Sequence, residues 1–162
     1  MIVFAGGLIS GCFNGNPVTN TFTGTVTKVH DGDSIHVTPA GEKRVIIRLA
    51  AIDAPEIKQT HGIQSRDHLR RLILNKDVTA RCNKLDKYKR QVCVVTYNGQ
   101  DTNLNMLASG NAWYYERFKD EQSRHDQTSY RKAADTARKR RLGLWQDSTV
   151  IPPWEFRDLQ RN

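Results

Sequence analysis

Six side chains of this sequence have the types and spacing to act on a phosphate ester. Asp31 and Asp33 share one tight turn, Asp31-Gly32-Asp33-Ser34, while Asp53 and Glu56 share another, Asp53-Ala54-Pro55-Glu56. Arg48 lies in the apolar run that leads into the second turn, and Arg90 opens a later run. The chain as a whole is basic: 25 Lys and Arg against 17 Asp and Glu give a formal charge of +8, which points to nucleic acid or an anionic membrane surface as partner. Acidic turns on such a protein would repel phosphate unless a cation stood between them and the substrate. Two carboxylates and a main-chain carbonyl make an all-oxygen site suited to Ca2+ or Mg2+, and few protein ligands in an open, wet sphere favour Ca2+. Two arginines would then hold phosphate oxygens in pairs and offset the charge that develops during attack. Each feature is ordinary alone: Asp31-Gly32 is a turn signal, Asp53 to Glu56 reads as a strand end or helix cap, and a lone strand Arg usually sits in an ion pair. Their combination in one small domain gives the chemical reading its weight. Cysteine and histidine show no zinc spacing, and nothing argues for a transition metal.

The elements that must position these groups read as strands first. Thr21–Val29 is rich in Thr and Val, Ser34–Thr38 alternates, and Arg44–Ile52 is a nearly continuous apolar run that Pro55 stops. A helix fits Ser65–Leu74, with Ser65 as its N-cap and Leu69, Leu72 and Ile73 facing inward. Val78–Cys82 and Gln91–Tyr97 are two more strands, joined by the loop at 84–90, and Asn98-Gly99 turns the chain afterwards. A short helix around Leu104–Ser109 and a longer one over about Ser123–Arg141 follow, the latter ended by Gly143. Five strands with a helix between the third and fourth is the order of an OB-type barrel, so the expected fold is α+β: a five-stranded OB barrel with three α-helices. The 162 residues suffice for one domain with a core of its own, and no apolar run reaches the roughly 20 residues of a spanning helix. Residues 1–20 read as a separate leading segment, 21–147 as the domain, and 148–162 as a tail that packs back through Trp154.

Four motifs, taken in order, carry a resemblance. Asp31-Gly32-Asp33-Ser34, Ile47-Arg48-Leu49, Asp53-Ala54-Pro55-Glu56 and Asp86-Lys87-Tyr88-Lys89-Arg90 resemble the staphylococcal nuclease family. The stretch Ala137–Trp145 is similar to that family's last helix and closing tryptophan, so the likeness spans about residues 21–147. The resemblance implies a Ca2+-dependent endonuclease that hydrolyses DNA and RNA with little sequence preference and leaves 3′-phosphate ends. It implies Asp33, Asp53 and the carbonyl of Ala54 as metal ligands, and Glu56 as the general base or the group that orients the attacking water. Arg48 and Arg90 would stabilise the transition state, Arg90 also assisting the leaving 5′ oxygen, and Tyr88 would line the nucleotide pocket. The sequence departs from the family in places. Ala54 stands where the nuclease that gives the family its name has Thr, Lys89 replaces the usual Gly in the turn before Arg90, and the loop after Glu56 is shorter. Trp113, Tyr114 and Tyr115 do not align cleanly with the family's paired tyrosines, and core packing at a helix end is the expectation for them.

Met1 to Thr27 holds no charged side chain, and its apolar start ending in Ile9-Ser10-Gly11-Cys12 looks like a bacterial lipoprotein signal with Cys12 as the lipidated residue. The basic stretch that opens such signals is missing, so either the start lies upstream or the likeness is accidental. On the first reading the protein is exported and possible membrane attachment runs through Cys12. Cys82 and Cys93 are then one pair that either joins across neighbouring strands or stays as two buried thiols. The protein is expected to act as a monomer. The rival to a nuclease is a catalytically silent OB module that only binds nucleic acid, but this chain keeps Asp33, Asp53, Glu56, Arg48 and Arg90. The basic helix residues Arg131, Lys132 and Arg138 to Arg141 read as a solvated face rather than a phosphate track.

Overall fold

The computed structural model describes residues 20–161. Its strands and helices follow in chain order as β1 (Asn20–Val29), β2 (Ser34–Thr38), β3 (Val45–Leu49), β4 (Ile52–Asp53), α1 (Gly62–Ile73), β5 (Asp77–Leu85), β6 (Gln91–Tyr97), β7 (Gln100–Asp101), α2 (Thr102–Ala108), β8 (Trp113–Tyr114), α3 (Arg124–Lys139) and α4 (Pro153–Leu159). The sheet runs β3-β2-β1-β5-β6, and a parallel pairing of β3 with β6 closes it into a five-stranded barrel. Closure leaves those five strands without a long free edge. The three expected helices are present as α1, α2 and α3, and the tail adds α4.

Strand alternation decides what points where. Ile47 and Leu49 fill the barrel, so the intervening Arg48 must project from its outer face. Across the ladder Ser34 stands opposite Arg48, and Arg48 opposite Val92, which sets the first turn, the arginine and the start of β6 in one row. Val26, Ile35, Val37 and Val95 fill the interior with Leu69 and Ile73 of α1 and Met106 and Leu107 of α2. Each such side chain contributes roughly 1.5–3 kcal/mol on burial. Fully buried Asn103 stitches the end of the barrel: its amide donates to the carbonyls of Ala50 (3.0 Å) and Cys93 (3.1 Å) and its oxygen accepts from the N–H of Val95 (3.1 Å). That fixes the chain entering the second acidic turn. Cys82 and Cys93 face each other in register on β5 and β6 and are joined by a disulfide. Cys12 lies outside the described residues.

Three local expectations need correction. Ser65 does not cap α1. The helix starts at Gly62, after a left-handed His61 (φ 70°), and Ser65 is buried one turn inside it, donating to the Asn111 carbonyl at 2.6 Å. The start lies earlier because the chain folds back on itself: Gln59 N–H donates to Glu56 O and Gly62 N–H to Gln59 O. A Cβ on residue 62 would stand 1.8 Å from the Glu56 carbonyl oxygen, so only glycine fits. Gly143 does not end α3. Arg141 takes the left-handed position (φ 53°), with Leu142 N–H donating to Ala137 O at 3.0 Å and Arg141 N–H to Arg138 O at 3.1 Å, a Schellman ending. Trp113 and Tyr115 are not wholly core residues. Tyr114 is buried, whereas Tyr115 lines the cleft described below.

Candidate active site

The two acidic turns meet at their carboxylates. Asp33 accepts the N–H of Ala54 on Oδ2 (2.7 Å) and the hydroxyl of Ser34 on Oδ1 (3.1 Å), so a backbone bond ties the first turn to the second. Asp31 Oδ1 accepts the N–H of Asp33 at 3.0 Å, which shapes the first turn. Asp53 ends β4, whose pairing with β8 sets Ile52 opposite Tyr114 and holds the second turn to the chain at 113–114. Arg48 Nη2 bridges the two acids, 3.2 Å from Asp33 Oδ2 and 3.0 Å from Asp53 Oδ1. Its Nη1 donates to the Leu49 carbonyl at 2.7 Å, which fixes the guanidinium plane.

Burial first, and the Asp33 charge after it, raise the proton affinity of Asp53 and Asp31. Burial pushes Asp53's carboxyl up and the Asp33 charge pushes the same way, while Arg157 and Arg48 oppose them. Asp31 is pushed up to about 7 by burial and by the neighbouring Asp33 charge. Such a pair calls for positive charge, and guanidinium groups supply it here.

Arg90 comes from the far side of the barrel closure. Its Nε donates to Asp86 Oδ2 (2.7 Å) and its Nη1 to Ser34 Oγ (3.0 Å). Ser34 therefore links Arg90 to Asp33 through one hydroxyl. Asp86 also accepts the N–H groups of Tyr88 and Arg90, both at 2.9 Å, which folds the loop into a tight turn. That turn forces Lys89 into the left-handed region (φ 62°). Tyr88 is exposed at the rim, its ring centroid 5.4 Å from the Arg90 guanidinium carbon. Half-buried Glu56 stands three residues after Asp53, its N–H donating to Gln59 Oε1 at 3.1 Å. Asp33, Asp53, Ala54, Arg48, Glu56, Arg90 and Tyr88 all line one open cleft of about 1150 Å³.

Residues 46–147 match the family model described as "Staphylococcal nuclease homologue". The chain belongs to the staphylococcal nuclease family. Among its relatives, an "Uncharacterized endonuclease" of Haemophilus influenzae is 36% identical over 136 residues, covering 84% of this chain and 73% of that protein. A "Micrococcal nuclease" of Shigella flexneri is 35% identical over 155 residues, covering 90% of this chain and 86% of that one. A "Staphylococcal-like nuclease" of Arabidopsis thaliana is 32% identical over 119 residues, covering 74% of this chain but 35% of that one. The closed barrel with its helices is the family's OB-type α+β fold, and the chain is an endonuclease acting on nucleic acid.

Within this nuclease fold, sequence reasoning missed two contributors. Ser34 was legible only as part of a motif, because its bond to Arg90 crosses 56 positions of sequence. Arg157 was missed altogether. Pro152-Pro153 is a helix-start signal that could have been read, and Trp154 and Arg157, three apart, share one face of the resulting α4. Trp154 packs on Trp113 and Tyr115, with ring centroids 5.7 and 5.4 Å apart. Arg157 then enters the cleft, Nη2 donating to Asp53 Oδ2 (2.7 Å) and Nη1 to Glu56 Oε1 (2.8 Å).

As a donor set for a metal the site is sparse. Among the described residues no three His, Cys, Asp or Glu side chains come together as a metal-holding group. What is present is two buried carboxylates, Asp33 and Asp53, pinned beside one another with the Ala54 backbone between the turns. That all-oxygen chemistry fits a hard cation that keeps most of its water.

Proposed function

We propose that this endonuclease is Ca2+-dependent, that it hydrolyses phosphodiesters in DNA and RNA with little sequence preference, and that it leaves 3′-phosphate ends. The observation that carries the reading is the convergence of Asp33, Asp53 and Arg48 on one contact, with Glu56 and Arg90 lining the same cleft. Asp33, Asp53 and the Ala54 carbonyl would hold the ion, which when bound supplies a Lewis acid toward the phosphoryl oxygens. Glu56 takes a proton from the attacking water, or orients it, as the new P–O bond forms. Arg48, held flat by the Leu49 carbonyl, offsets charge on the non-bridging oxygens. Arg90, anchored by Asp86 and Ser34, donates toward the 5′ oxygen as the P–O5′ bond breaks. The phosphate stays on the 3′ side and the 5′ fragment leaves as a hydroxyl. Tyr88, at the rim beside Arg90, lines the nucleotide pocket.

The test is digestion of plasmid DNA and of a defined RNA in Ca2+ and in EGTA, with the product ends identified by phosphatase treatment and by ligation. Cleavage only in Ca2+, with ends that ligate only after the 3′-phosphate is removed and the 5′-hydroxyl is then phosphorylated, supports the proposal. Cleavage in EGTA removes the metal from it, and 5′-phosphate ends remove the role given to Arg90.

The same reading extends to location. We propose an exported protein, monomeric and attached to a bacterial membrane through lipidated Cys12, and the Cys82–Cys93 disulfide supports an oxidising compartment. Cys12→Ser should move a membrane-pelleting protein into the soluble fraction, and a wild-type protein that never pellets refutes the anchor.

A further inference from the structure

Arg157 bonds to the groups that the proposed chemistry needs free. Asp53 receives Arg157 on Oδ2 at 2.7 Å and Oδ1 at 3.3 Å, and its Oδ1 also faces Arg48 at 3.0 Å. Glu56 Oε1 receives the other arm of the same guanidinium at 2.8 Å. One side chain therefore spans the carboxylate assigned to the cation and the carboxylate assigned to the water. Arg48 already offsets the charges of Asp33 and Asp53, so a second guanidinium on Asp53 Oδ2 competes directly with a dication there, and like charges within about 4 Å in a partly dry site repel strongly.

The element that delivers Arg157 is lightly attached. Of the seven residues of α4 only Pro153 is buried, and Glu155, Asp158 and Leu159 are exposed. Trp154 rests on the shelf of Trp113 and Tyr115, and just before the helix the Gln59 amide donates to the Ile151 carbonyl at 2.6 Å. Gln59 also accepts from Glu56 N–H, so the tail hangs from the same turn it covers. A helix this short has no stability of its own in water and persists only while docked. Segments with so few buried contacts open at low free-energy cost.

We propose that α4 is an intramolecular plug: Arg157 stands where the cation's charge would act, and cation binding and docking of the tail exclude one another. The inference rests on the assignment of Asp53 as a cation ligand. The plugged protein binds the ion with an affinity lowered by the fraction of molecules whose tail is open. At low cation concentration Glu56 is tied down and the nuclease rests. Rising cation concentration releases the tail and frees Glu56 together with Asp53.

The test is calorimetric titration of the full chain with CaCl2, for wild type, Arg157→Gln, Arg157→Lys and Trp154→Ala, with circular dichroism melts to show that each variant folds. Arg157→Gln should bind Ca2+ about tenfold more tightly, the scale of one hydrogen bond to a charged group. Arg157→Lys, which keeps a charge but loses the two-armed fork, should fall between, and Trp154→Ala should tighten binding by loosening the shelf. Hydrogen exchange in wild type should speed up across residues 153–159 when Ca2+ is added. Equal or weaker Ca2+ affinity in Arg157→Gln, or slower exchange in α4 with Ca2+, overturns the plug and leaves the calcium reading intact. No Ca2+ binding by any of the four proteins overturns the calcium reading itself and the plug with it.

Discussion

Ser34→Ala removes one hydroxyl and should show how far Arg90 depends on the acidic turn. Ser34 is buried, donates to Asp33 Oδ1 at 3.1 Å and accepts from Arg90 Nη1 at 3.0 Å. A hydrogen bond to a charged group contributes about 1.5–3 kcal/mol. The two ends differ, because Arg90 is half-exposed and keeps Asp86, so water can replace that partner, while buried Asp33 has no such substitute. The net cost is then close to one such bond, about 2 kcal/mol. For a domain of this size that lowers Tm by about 4–8 °C. Urea unfolding followed by tryptophan fluorescence measures it directly. A cycle with Arg90→Gln should show a coupling of roughly 0.5–3 kcal/mol between the two positions. Turnover should fall with KM for a short oligonucleotide little changed, because the loosened guanidinium would act on the leaving oxygen rather than on binding. A stability loss below about 0.5 kcal/mol, the size of an ordinary surface change, would show that Ser34 is no bridge, and a zero coupling would separate Arg90 from the first turn.

Other outcomes follow from the same geometry. Lys89→Gly should stabilise the protein by about 1 kcal/mol, because glycine adopts the left-handed φ of 62° without the Cβ clash; unchanged urea unfolding would mean the turn relaxes the strain elsewhere. Asp31, at about 7 when folded against about 3.9 unfolded, retains its proton in the folded state between those values. Its contribution is thus full below the unfolded value and lost as pH rises through about 7. Stability of wild type relative to Asp31→Asn should therefore decline between about pH 4 and pH 7 and level off above it, and parallel profiles would refute the raised value. Replacing Cys82 and Cys93 together by Ala should cost about 2–3 kcal/mol, the scale for a cross-link closing a short loop; full stability of the double variant in urea would show that the strands need no staple.

Much of the site was legible because its groups sit in turns and at element ends. Arg48 was legible as a charge inside a nearly continuous apolar run, and the structure buries its neighbours Ile47 and Leu49 and leaves Arg48 on the outer face. The turns at 31–34 and 53–56 carry local signals, and the strand over 91–97 has the expected bounds. What sequence could not reveal depends on distant backbone meeting backbone. Ser65 has the chemistry of a cap, yet it spends its hydroxyl on Asn111, 46 positions away. Gly143 looks like a helix stop, yet it is glycine because a Cβ there would stand 2.1 Å from the Gly110 carbonyl oxygen. Gly32 is similar: in the turn it does not take a left-handed φ, and a Cβ would meet Ser65 Oγ at 1.9 Å. Arg157 is 104 positions from Asp53, and no periodicity reports a contact of that range.

The parallel pairing of β3 with β6 has a consequence for how the molecule comes into being. Asp33 and Arg48 belong to one local hairpin, but Arg90 reaches them only after some forty residues of intervening chain have been ordered. Joining such remote strands is the slow, entropically costly part of assembly. On the roles proposed above, a half-made molecule holds its acids and one guanidinium but lacks the second, so cutting ability arrives only with the final zipping of the wall. A chain still in transit would be harmless to the nucleic acid around it.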